Sequence, residues 1–154
     1  MDVQAVWGAL TVRGAEVYYR RGHRENPPVL ASSGDVDKLI DGLLAGEEFH
    51  NLAQLHSLDR ELLPSGYPDH ELLVGIDRSV QVGVLEFMDA GGNVVTLGPA
   101  TGRGEVIYHI AGNPTEFPDR SEVSVELIRQ AVKEFVMSGG QRPTCVQWQV
   151  PEIW

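Results

Sequence analysis

"HELLVGIDRSVQVGVLEFMDAGGNVVTLG", residues 70–98, decides the fold. Three runs rich in valine, leucine and isoleucine occupy 70–77, 79–89 and 93–98. The links between them are far shorter than the dozen or so residues that a parallel crossover needs, so the strands must run antiparallel. "DAGGN", 89–93, supplies glycines for the positive backbone angles of a hairpin turn. After the glycine-rich "GPATGRG", 98–104, "EVIYHI", 105–110, reads as a fourth strand of the same meander.

Helical signals flank this core on both sides. Downstream, Val125, Ile128, Val132, Phe135 and Val136 form one apolar stripe. Ser124 is placed to cap that helix, Glu126 lies in its first turn where the dipole favours an anion, and Gly139–Gly140 end it. Upstream, Val36, Leu39, Ile40, Leu43 and Leu44 recur at three- and four-residue spacing, with Ser33 or Asp35 as the cap and Gly46 as the stop. Asp37 and Asp41 fall on the opposite, solvent-facing side.

The ends are read more coarsely. "VQAVWGALTV", 3–12, and "EVYYR", 16–20, form a strand pair turning at Gly14, and "ENPPVLASS", 25–33, is an extended loop because consecutive prolines remove ladder donors. "EEFHNLAQLHSLDRELLPSGYPD", 47–69, fits no hydrophobic period and has room for one short strand. "RPTCVQWQV", 142–150, alternates as a half-buried strand. The expected architecture is a single α+β domain over 1–154, a mainly antiparallel sheet covered by two helices.

Composition narrows the function classes. With 22 acidic against 12 basic side chains the net charge is −10, a field that repels nucleic-acid phosphates and attracts basic partners. Half of it lies between Asp35 and Glu61, where seven acids face Lys38 and Arg60, just after the basic "YYRRGHR" at 18–24. No apolar run is long enough to span a membrane, and the start, "MDVQAVWGALTV", lacks a basic signal-peptide region, so a cytosolic protein is expected. The single cysteine, Cys145, agrees with a reducing compartment.

Motifs for catalysis are absent. His23, His50, His56, His70 and His109 match no zinc spacing, and "LGPATGRGE" lacks the Gly-Lys-Ser/Thr and following helix of a phosphate loop, as does "YHIAGNP". No serine occupies a G-x-S-x-G elbow. The carboxylate pairs Glu47–Glu48 and Asp59/Glu61 lie in charge-rich, solvated stretches unsuited to raising a pKa. Cys145 has no sequence neighbour that would activate it and is read as structural. No catalytic residue, metal or cofactor is therefore expected.

Two stretches, 72–98 and "EFPDRSEVSVELIRQAVKEFVMSGGQRPTCVQWQ" at 116–149, resemble the immunity protein 1 family of bacterial polymorphic toxin systems, particularly its actinobacterial members. The shared features are F-P-x-x-S-E leading into the helix, its apolar stripe, G-G-x-R-P and the final C-V-x-W. The resemblance covers about 70–150. It implies a small cytosolic antidote, monomeric when free, that binds a secreted toxin domain; toxins of such systems are often nucleic-acid deaminases, and nucleases fit as well. Both need a basic cleft, which an acidic protein can occupy. The contact residues expected on this reading are Asp35, Asp37, Asp41, Glu116, Asp119, Glu122 and, as an exposed aromatic anchor, Trp154. A small enzyme built on His109 and Cys145, and a domain self-associating through an exposed sheet edge, are the alternatives.

Overall fold

A computed structural model describes residues 12–152. In chain order they form β1 (Ala15–Tyr18), β2 (Val29–Leu30), α1 (Ser33–Ala45), a single 3-10 turn (Glu48–His50), β3 (Leu52–Ser57), β4 (Glu71–Asp77), β5 (Val82–Asp89), β6 (Gly92–Thr96), β7 (Val106–Ile110), β8 (Asn113–Phe117), β9 (Val123–Ser124), α2 (Val125–Met137) and β10 (Trp148–Gln149). The main sheet has the order β10-β6-β5-β4-β3-β1-β2, with β9 beside β5, and every pairing is antiparallel. The fold is α+β, as the sequence indicates.

Two-residue alternation divides the sheet into two faces. Val17, Leu55, Leu72, Val74, Leu85 and Phe87 point to one side, where they meet Val36, Ile40 and Leu43 of α1 and Ile128, Val132 and Phe135 of α2. Ser124 caps α2 by accepting from the Leu127 amide at 3.2 Å, as its position predicts. The opposite side presents Leu52, Val84 and Val95, which pack under the β7–β8 hairpin through Val106, Tyr108 and Phe117.

Two glycines on adjacent central strands admit these layers. A Cβ on Gly83 would stand 2.4 Å from the Gly75 carbonyl and 2.9 Å from Ile128, so its absence lets α2 settle on β5. A Cβ on Gly75 would lie 2.6 Å from the Tyr108 ring, on the hairpin side.

Several local expectations change. "EVIYHI" does not extend the meander. The outer edge of β6 is taken by β10, through Trp148↔Thr96 and Gln149↔Val95, and β7 pairs with β8 in a separate two-stranded sheet. The region 47–69 supplies β3, an interior strand buried on both sides at Leu52 and Ala53, which is why no single-face alternation shows in its sequence. Val29–Leu30 pairs with β1 directly after the two prolines, on an edge where missing donors cost nothing. The cap of α1 is Ser32, whose side chain accepts from the Asp35 amide. The carboxy-terminal strand shrinks to Trp148–Gln149, because the Glu134 carboxylate accepts the Thr144 and Cys145 amides and draws the chain around the end of α2. The first member of the amino-terminal strand pair, 3–12, lies almost wholly outside the described residues.

Candidate functional site

Whether an acidic surface can bind a cation depends on which of its carboxylates are already engaged. Asp35 is engaged locally: it accepts the Ala31 amide at 2.9 Å while its own amide goes to Ser32. The Ala31 hydrogen bond, above all, lowers its pKa. Asp37 and Asp41 meet Arg129 at 3.0 Å each, and Asp37 also meets Lys133 at 3.0 Å, tying α1 to α2. Lys133 and then Arg129 lower the Asp37 pKa by hydrogen bonding to its charged form.

Asp119 and Glu122, in the link between β8 and β9, are engaged with the long connection between β6 and β7. Asp119 accepts the Gly104 and Arg120 amides, both at 2.9 Å. Glu122 takes a two-pronged contact from Arg103, at 2.6 and 2.8 Å, and accepts the Tyr108 hydroxyl at 2.5 Å. Arg103 also reaches Asp77 at 2.6 Å, so one guanidinium joins this connection to β4 and to the residues before β9. Its pKa rises through Glu122 first and Asp77 second. Burial, and then the bond to Glu122, raise that of Tyr108.

Glu116 differs from these five acids. It is exposed on β8, opposite Ile107 of β7, with no side-chain hydrogen bond or ion pair among the described residues. Glu47 and Glu48, in a charge-rich stretch, are likewise exposed with no side-chain partner among the described residues, and they line one groove with Ile107, His109, Arg78 and Arg103. Phe49, 55% exposed, packs edge-on against His109 with ring centroids 4.9 Å apart, and Ile107 is 53% exposed. The hairpin reversal at Ala111–Gly112, both at positive φ, holds this surface in shape. Its signal was the A-G-N directly after the apolar run 106–110. Trp154 lies outside the described residues.

A second polar group lies on the sheet, on the hairpin side. Gln54 donates to Glu71, and Glu86, only 4% exposed, sits diagonally across β4 and β5 from Glu71 with no side-chain hydrogen bond among the described residues. Burial, reinforced by the charge of Glu71, pushes the Glu86 pKa up to about 8. His56 is lowered by burial and then by His70.

The other titratable groups have structural roles. His70 accepts the Ser57 amide at Nε2, 2.8 Å, with Nδ1 toward Asp69 at 2.9 Å. His23 Nδ1 accepts the Tyr19 amide in a turn. Cys145 packs against the helix-side core, its thiol pKa raised by burial and then by Glu134, whereas His109 belongs to the hairpin on the other side of the sheet. The fold does not bring that pair together. Among the described residues no group of three or more potential ligands is placed to hold a metal, and no helix is long and apolar enough to cross a membrane.

No curated protein matches the chain. The family model for immunity protein Imm1 matches residues 24–150, which extends the likeness well upstream of residue 70 to include α1 and β3. With most of its length matched, the chain belongs to the Imm1 family: it is an immunity protein, of the class that binds a cognate toxin.

Proposed function

We propose that this immunity protein neutralises a nucleic-acid deaminase, or a nuclease of similar charge, by seating in the toxin's basic substrate cleft, with no chemistry of its own. The observation that carries the reading is the net charge of −10 on a member of this family. An enzyme that acts on a polyanion lines its cleft with lysine and arginine, and an acidic body competes for that surface. The pure protein is then a cytosolic monomer that associates quickly at low salt.

The test uses the cognate toxin domain, sought in the reading frame adjacent to the one encoding this chain. Mixing it, catalytically inactivated, with the immunity protein should give a stable complex whose association rate falls steeply as salt rises, and bound toxin should no longer retain single-stranded DNA or RNA. A complex indifferent to salt, or one that still binds nucleic acid, overturns occlusion of a basic cleft. Turnover of a substrate by the immunity protein alone overturns the non-catalytic role.

A further inference from the structure

Five of the six acids that the sequence nominates are engaged within the molecule. Asp37 and Asp41 hold the two helices together, Asp35 ties off the start of α1, and Asp119 and Glu122 fix the β6–β7 connection. To bind a toxin they would have to give up partners they already have. Glu47, Glu48 and Glu116 have none to lose among the described residues, and they surround two large exposed apolar side chains, Phe49 and Ile107.

That combination is unusual for a surface whose only task is solubility. An exposed aromatic flanked by unpaired carboxylates has the make-up of an interface centre with a charged rim. The patch is also held in place before any partner arrives. The Gly112 amide donates to the Phe49 carbonyl at 3.0 Å, the Asn51 amide to the His109 carbonyl at 3.1 Å, and the His109 amide to Asn51 Oδ1 at 2.8 Å, so the 3-10 turn and the hairpin are cross-tied. A prefixed anchor loses little conformational entropy on binding. The other exposed apolar group, Leu62, Leu63 and Tyr67, is also tied, by the Leu63 amide to the Tyr67 carbonyl and the Gly66 amide to the Leu63 carbonyl, both at 2.8 Å, but it has only Glu61 beside it as an acid without a partner among the described residues.

We infer that the outer face of the β7–β8 hairpin together with the Glu47–Phe49 turn is the toxin-binding surface: Phe49 and Ile107 enter an apolar depression while Glu47, Glu48 and Glu116 meet lysine or arginine on its rim. This rests on the cleft-occlusion reading above and gives it a location. Arg78 and Arg103, both exposed, line the same groove, Arg103 with Asp77 and Glu122 as partners, and they bound the cationic footprint there.

The experiment measures association and dissociation rates of the inactivated cognate toxin domain on four versions of the immunity protein: unchanged, Phe49→Ala, the double reversal Glu48→Lys/Glu116→Lys, and Glu126→Lys as a control on the exposed side of α2. Circular dichroism and melting curves that match the unchanged protein establish that each variant is folded. Phe49→Ala should weaken binding by about tenfold or more, chiefly through faster dissociation. The double reversal should also lose about tenfold, chiefly through slower association, with a shallower salt dependence. Glu126→Lys should stay within about twofold. Folded Phe49→Ala and double-reversal proteins that both bind as tightly as the unchanged one overturn this location and leave the antitoxin reading intact. Failure of the unchanged protein to bind overturns the antitoxin reading itself.

Discussion

The two sides of the central sheet treat negative charge in opposite ways. On the helix side Asp37 and Asp41 lie against Arg129 and Lys133, and the core beneath them is aliphatic and aromatic. On the hairpin side Glu86 is buried without a partner among the described residues, Glu71 adds to the strain, and Glu47, Glu48 and Glu116 stand in solvent unneutralised. Acidity on the first side contributes to holding the fold. On the second, Arg103 holds Glu122 and Asp77, but the buried charge of Glu86 opposes folding and the exposed charges of Glu47, Glu48 and Glu116 do nothing for it, which calls for a reason outside the fold.

Glu86 offers the sharpest way to break this contrast. Its folded-state pKa of about 8 stands above the ordinary 4.5, so the native state holds its proton more tightly than the unfolded chain does. The resulting stability is fully present below pH 4.5 and is lost as pH rises toward 8. Glu86→Gln, which mimics the protonated form, should leave denaturant unfolding unchanged near pH 4 and stabilise by roughly 3–4 kcal/mol at pH 8 and above. A loss at pH 8 would show that the carboxylate has a partner and that the two sides are alike, and a gain independent of pH would show that Glu86 is not held protonated by burial.

Glu122 tests the opposite case, an acid whose charge is used. Glu122→Ala leaves the buried Tyr108 hydroxyl without its acceptor and releases Arg103, at a cost of roughly 2–3 kcal/mol in the unfolding free energy. Arg129→Met, on the helix side, should cost about 1 kcal/mol, since its partners are partly exposed and screened by salt. The difference from the parent should shrink further in high salt. Smallest of all, Glu116→Gln should change stability by less than about 0.5 kcal/mol while slowing association with the toxin. A large stability loss in that variant would move Glu116 into the structural class and remove the contrast.

What the sequence revealed follows the strength of its local signals. The strands of 70–98 were legible as runs of valine, leucine and isoleucine bounded by turn signals, with β4 and β5 buried on both faces, and α2 was legible because one wet and one dry side write a helical period into its sequence. β3, also buried on both faces at Leu52 and Ala53, was obscured because Gln54, His56 and Ser57 interrupt its apolar run. The placement of β7 depended on competition for the edge of β6, won by Trp148 and Gln149 from the far end of the chain, and no local pattern encodes that. At the site, composition revealed the excess of acid but could not separate engaged from idle carboxylates. Asp37 and Arg129 are 92 residues apart, and only the packed helices bring them together. Glu116, though nominated, looked no different from its neighbours; its distinction is the lack of a partner.

The attachment of the hairpin has a further consequence. Tyr108 lies over Gly75 and Val106 and Phe117 face inward, while Ile107 and Glu116 point away and bear no weight in the sheet. Inward positions are therefore held to their shapes, and outward ones are free to drift. On the inferred binding surface, such a division would let a lineage retune which adversary it recognises by rewriting a handful of side chains on one ribbon, with the underlying scaffold inherited intact.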